Sequence, residues 1–132
     1  MKVLALDYGR ARTGVAVSDP TGSIARPLGV VERAATDDGI TRVLALARDE
    51  GVDLILVGLP LTLKGERGEQ VEETERFLEL LRRATDLPVE TLDERFTTKL
   101  AAAAPTDAEE DSVAAAHLLT TYLTWKSGAA PR

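Results

Sequence analysis

Residues 2–8, Lys-Val-Leu-Ala-Leu-Asp-Tyr, form an almost unbroken apolar run that closes on a carboxylate. A run without polar alternation reads as a strand buried on both faces, which needs a sheet with helices packed above and below it. Gly9 breaks the run. Residues 13–19, Thr-Gly-Val-Ala-Val-Ser-Asp, then alternate small and apolar positions as a second strand. Pro20, Thr21 and Gly22 make a turn into a third strand over 25–32. Connections this short favour antiparallel hairpins.

Beyond residue 32 the period changes. Thr36-Asp37-Asp38 is a good helix start, Ile40, Val43, Leu44 and Ala47 give an apolar stripe, and Gly51 stops it. Residues 53–58 read as a short buried strand. The loop from Leu59 to Gly68 carries Pro60, Gly65 and Gly68 and leads into a second helix with Val71, Phe77, Leu78 and Leu81 inward. Pro88 ends that segment and opens a fifth strand to Leu92. Thr97 to Ala104 suits a short helix cut at Pro105. A last helix from about Ala108 to Lys126 sets Asp111, Ala115, Leu118 and Tyr122 on one stripe. The order β-β-β-α-β-α-β-α predicts an α/β fold, a five-stranded mixed sheet flanked by helices. No linker divides the chain, so residues 1–132 read as one domain, with a core over about 1–126 and a short C-terminal tail.

Composition narrows the chemistry. The chain has 132 residues, 44% hydrophobic and 29% charged, a globular balance that excludes a disordered tail or a fibrous repeat. With no Cys, disulfides, thiolate zinc sites and a catalytic thiol are excluded. With a single His, His117, a metal must be held mainly by carboxylates, which selects Mg²⁺ or Mn²⁺ over zinc. No apolar run approaches the roughly 20 residues that span a bilayer, and the start lacks signal-peptide anatomy. A cytoplasmic protein without a membrane partner is expected. The net charge of −6 argues against a general nucleic-acid coat protein. A local basic site is still open, because Arg10, Arg12, Lys64, Arg67 and Arg95 fall within the motifs below and Lys99 directly follows one of them.

Asp7 ends the first strand before Tyr8-Gly9-Arg10, and the carboxyl edge of a central strand is where open α/β sheets place ligands. The same acid also suits a turn cap. Gly14 leaves room for a close approach at the start of the second strand. Asp93-Glu94-Arg95 ends the fifth strand, at the same sheet edge if that strand is parallel to the first. Neighbours in a strand point to opposite faces, so only one of these two acids can share Asp7's side. Asp111 lies on the inward stripe of the last helix. A buried carboxylate there needs a partner, whether an Arg, helix-terminal amides, or a metal shared with Asp7. The loop Gly58 to Gln70, with Lys64 and Arg67 before a helix start, can hold a phosphate. It lacks the Gly-Lys-Ser/Thr of a Walker loop. His117, on a different helix face from Asp111, reads as structural or exposed, and Tyr122 and Trp125 read as packing residues.

Four ordered motifs, Asp7 to Asp19 (DYGRARTGVAVSD), Val57 to Gln70 (VGLPLTLKGERGEQ), Leu92 to Thr98 (LDERFTT) and Asp111 to Leu119 (DSVAAAHLL), resemble the YqgF (RuvX) family over Met1 to about Leu123. That family groups pre-16S rRNA nucleases with Holliday junction resolvase-like proteins. The resemblance implies a ribonuclease H-like fold and a metal-dependent phosphodiesterase. It makes Asp7, Glu94 and Asp111 a carboxylate triad, with Asp93 and Thr98 as second choices. Three carboxylates at one edge suit two Mg²⁺ or Mn²⁺ ions around a scissile phosphate, with Arg10, Arg12, Lys64, Arg67 and Arg95 on neighbouring phosphates. The implied partner is nucleic acid, either pre-rRNA or branched DNA. A homodimer would suit a symmetric junction. The chain departs from the family at Thr62, where Asn is frequent, and in a short acidic segment before Asp111. Two other classes use related features: an actin-like ATPase, which needs a second lobe, and a noncatalytic nucleic-acid-binding module.

Overall fold

The computed structural model describes residues 1–59, 69–93 and 108–126. The elements are β1 (Val3–Asp7), β2 (Arg12–Ser18), β3 (Ala25–Glu32), α1 (Asp37–Glu50), β4 (Leu54–Leu59), α2 (Glu69–Ala84), β5 (Val89–Asp93) and α3 (Ala108–Lys126). They form one mixed sheet in the order β3-β2-β1-β4-β5. The β1–β2 and β2–β3 pairs are antiparallel, whereas β4 is parallel to β1 and β5 is parallel to β4. The carboxyl ends of β1, β4 and β5 therefore share one edge. The expected short helix over 97–104 lies outside the described residues.

Alternation along each strand sorts the core into two layers. Leu4, Leu6, Val15, Val17, Ile55 and Val57 meet α1 and α2 on one face. Val3, Ala5, Ala16, Leu54, Leu56 and Leu92 meet Ala115, Leu118, Leu119 and Tyr122 of α3 on the other. This is the two-sided burial that the apolar β1 run requires, with Val3 to Leu6 fully buried. The inward stripes expected of α1, α2 and α3 are the buried ones, with Leu44 and Asp111 only partly covered.

The observed strands are offset slightly from the expected ones. β2 begins at Arg12 and β4 and β5 run on to Leu59 and Asp93, because Arg12 pairs with Glu32 and Leu59 with Asp93 in the ladders. Local polarity gives no hint of such pairings. Thr36 caps α1 by accepting a hydrogen bond from the Gly39 amide at 3.0 Å, and Gly51 closes it in the left-handed conformation at φ 65°.

Phe77 of α2 is fully buried and its ring stacks on Tyr8 with centroids 4.8 Å apart. Phe77→Ala is expected to destabilise the fold by about 3–5 kcal/mol, since the cavity is lined by fixed strands that cannot collapse into it. Urea unfolding should show a lower midpoint with an unchanged m-value. No helix among the described residues is long and apolar enough to cross a membrane.

Candidate active site

Asp7 is the last residue of β1, and alternation puts it on the α3 face with Val3 and Ala5. Its partner across the ladder is Gly14 of β2. The missing side chain of Gly14 decides where α3 sits. A Cβ there would stand 1.8 Å from the Asp111 carbonyl oxygen and 2.4 Å from its carbon. The first turns of α3 press directly on the β2 backbone, and Gly14 thus neighbours both acids, Asp7 through the sheet and Asp111 through the helix contact.

Asp111 is oriented by Arg12, whose Nε lies 3.0 Å from Asp111 Oδ2. Arg12 sits two residues before Gly14 on the same face of β2. The Asp111 side chain is 16% exposed, so the guanidinium supplies the compensation that a largely buried carboxylate needs. Among the partners open to Asp111 from sequence, the arginine is present. Arg12, expected on a substrate phosphate, also forms an ion pair with an acid of the site.

On β5, Glu90 accepts a 2.8 Å hydrogen bond from the Tyr122 hydroxyl of α3, and Leu92 packs in the α3 core layer. Burial, with the Glu90 contact second, pushes the Tyr122 phenol above its usual range. Alternation then sends Thr91 and Asp93 to the α2 face, where Thr91 borders a groove with Leu59, Leu78 and Arg82. Asp93 is at the right edge but on the side away from Asp7. Between β1 and β5 the α3 face carries Gly58, which has no side chain to fill the space. Glu94, Arg95 and Thr98, like Lys64 and Arg67, lie outside the described residues.

The turn after Asp7 crosses the sheet edge. Tyr8 goes to the α2 face, onto Phe77. Burial raises its phenol pKa, with Glu73 adding to the effect. Arg10 reaches α2 and donates from Nε and Nη2 to the two carboxylate oxygens of Glu73, which holds the Glu73 carboxyl below its usual range. Glu73 is a residue that sequence reading missed. It is 63 positions from Arg10, and only the packing of α2 beside the β1–β2 turn joins them.

The described site therefore brings two carboxylates, Asp7 and Asp111, to one end and one face of the sheet, with no cluster of three metal-ligating side chains among the described residues. Oxygen donors of this kind fit a hard divalent cation.

A mixed sheet of this order with helices on both faces is the ribonuclease H-like fold of resolvases. The solved structure of Thermus thermophilus RuvC in complex with Holliday junction substrate matches it with a TM-score of 0.65 over 98% of each chain, at 18% identity. A second T. thermophilus RuvC structure matches at 0.63. The model of the RuvX family, described as Holliday junction resolvase, matches residues 1–125, and the chain belongs to that family. A Chloroflexus aurantiacus protein named "Putative pre-16S rRNA nuclease" is 40% identical over 92% of this chain and 85% of its own length. A Clostridium novyi protein of the same name is 36% identical over 93% and 98%.

Proposed function

We propose that this chain is a metal-dependent nuclease that hydrolyses phosphodiester bonds in maturing the 5′ end of pre-16S rRNA in the cytoplasm. The observation that carries the reading is the convergence of Asp7 and Asp111 on Gly14, at the carboxyl edge of a parallel strand set, in a chain of the RuvX family. Glu94 is the third acid of the proposal. Asp93, its neighbour in sequence, faces α2 and is the weaker candidate.

In this reading Asp7, Asp111 and Glu94 are the residues that would hold Mg²⁺ or Mn²⁺, two ions in the full site, and the metal would supply an activated water and neutralise charge on the departing oxygen. Asp7, at the end of the central strand, would be a ligand of that site. Arg12 keeps the Asp111 carboxylate aimed at the sheet edge, so it acts on the site through that acid. Arg10, Lys64, Arg67 and Arg95 position backbone phosphates. None of these contacts reads a base, so selectivity comes from backbone shape. The acidic surface disfavours plain duplex.

The family's description favours one other reading, resolution of four-way DNA junctions, for which a homodimer would present two sites. The discriminating assay offers pre-rRNA 5′ leader, synthetic four-way junction and linear duplex at equal concentration. Fastest cleavage of the leader supports the first reading, paired symmetric nicks in the junction alone support the second, and equal cutting of duplex defeats the shape argument. In the same assay Mg²⁺ or Mn²⁺ is expected to support turnover and Ca²⁺ very little, because its longer, looser coordination misplaces the attacking water. Equal rates in Ca²⁺ or EDTA would exclude a carboxylate–metal site.

A further inference from the structure

The Arg10–Glu73 pair borders a recess of about 400 Å³ on the α2 side of the catalytic edge, lined by Tyr8, Gly9, Arg10, Gln70 and Glu73. Three features set it apart from an ordinary surface ion pair. Its acid is largely covered while its base is not, with side-chain exposures of 15% for Glu73 and 75% for Arg10. The contact is two-pronged, using the Nε–Nη2 edge of the guanidinium and both carboxylate oxygens, which fixes a side chain that would otherwise sample many rotamers. The recess wall is rigid, because Tyr8 is stacked on the buried Phe77.

Arg10 is also three residues from Asp7, across the turn that carries the chain from the α3 face to the α2 face. For a polynucleotide whose scissile phosphate sat beside Asp7, that turn would be the adjoining surface at the sheet edge. A planar guanidinium presents its donors as a fork, and phosphate is an anion whose geometry that fork matches.

We infer that this recess is a subsite for the nucleotide next to the scissile phosphate, with Arg10 on its phosphodiester and Glu73 as the positioning residue that presents Arg10. The inference rests on the nuclease reading and deepens it. Glu73 touches no substrate. Its carboxylate fixes the guanidinium before the strand arrives, so the ordering cost is met in folding rather than in binding.

The test uses wild type, Glu73→Gln, Arg10→Ala and the exchanged double variant Arg10→Glu with Glu73→Arg. Each is assayed in Mg²⁺ on fluorescein-labelled pre-rRNA 5′ leader, with inorganic phosphate as a competing free anion. Arg10→Ala is expected to raise KM about tenfold, the loss of one charge-assisted phosphate contact. Glu73→Gln is expected to raise it about threefold, with the loss falling on KM rather than kcat. The exchanged variant restores the ion pair and the melting temperature but leaves KM raised, because its cation now projects from α2. Millimolar phosphate should not rescue or mimic these differences if the subsite takes a nucleotide within a strand.

Lower KM in Glu73→Gln would overturn the inference, showing that Glu73 competes with the substrate for Arg10. Restoration of KM by the exchange would overturn it too, leaving the pair a purely structural tie. Unchanged KM in both single variants, with the leader still cut in an Asp7-dependent way, sinks the subsite alone. A leader cut equally by wild type and Asp7→Asn sinks the nuclease reading, and the subsite with it.

Discussion

Asp7→Asn is expected to abolish cleavage of every nucleic-acid substrate while leaving the fold and its stability nearly unchanged. The substitution keeps the volume and one oxygen but removes the negative charge. Asp7 lies at the very end of β1, half-buried, past the four core residues Val3 to Leu6 that hold the strand in place. The hydrophobic layers therefore do not feel the change. The site does, because a neutral amide is a poor ligand for the divalent cation that the carboxylates would hold. A fall in kcat of at least about 10³-fold is expected, in line with losing an acid that acts as part of one unit. Asp111→Asn should also be severe, and the double variant should be little worse than either alone, since the acids build a single site. The check is single-turnover cleavage by protein freed of contaminating nucleases, with circular dichroism to confirm the fold. Wild-type turnover by Asp7→Asn would remove the site assignment altogether.

Gly14→Ala is the second change with a large expected effect, and it works through geometry rather than charge. The added Cβ would stand 1.8 Å from the backbone oxygen of Asp111, far inside van der Waals contact, and the atoms it meets are main chain. No side-chain rotamer can relieve that clash. Either α3 lifts away from β2 or β2 bows. Both loosen a layer in which Ala115, Leu118 and Leu119 are buried against the sheet. A cost of about 3 kcal/mol, at the upper end for overpacking, is expected. The displacement also carries Asp111 away from Asp7 and from Arg12. A shift of roughly 1 Å in a catalytic group can cost about 10²-fold in rate. Gly14→Ala should thus lose activity even at temperatures where it remains folded, which separates misplacement from unfolding. Full activity in a stable Gly14→Ala protein would show that α3 does not set the position of Asp111.

The two variants fail for different reasons, and the sequence foreshadows those reasons to different degrees. An apolar run without alternation has one stable home, the interior of a two-sided sheet. Residues 2–8 accordingly imply the layered α/β class, the central place of β1 and the position of Asp7 at its end. Helix caps are equally local: Thr36 and Gly51 bound α1 because a side-chain oxygen and a left-handed residue satisfy orphan backbone groups a few positions away. The inward placement of Asp111 follows from its stripe with Ala115, Leu118 and Tyr122, and the closeness at Gly14 from its lack of a Cβ.

Pairings between distant residues follow a different logic. That Arg12 answers Asp111 depends on which strand lies under α3. That Arg10 turns to Glu73 depends on α2 packing on the opposite face from α3. That Asp93 turns to the α2 face depends on the parallel register of β5, through Glu90 bonding Tyr122 and Leu92 entering the α3 layer. Periodicity specifies which face of an element is apolar, because burial is a property of each residue with its solvent. It does not specify which charged group meets which, because an ion pair costs little to make with any of several partners and the choice falls to the packing that brings two of them together.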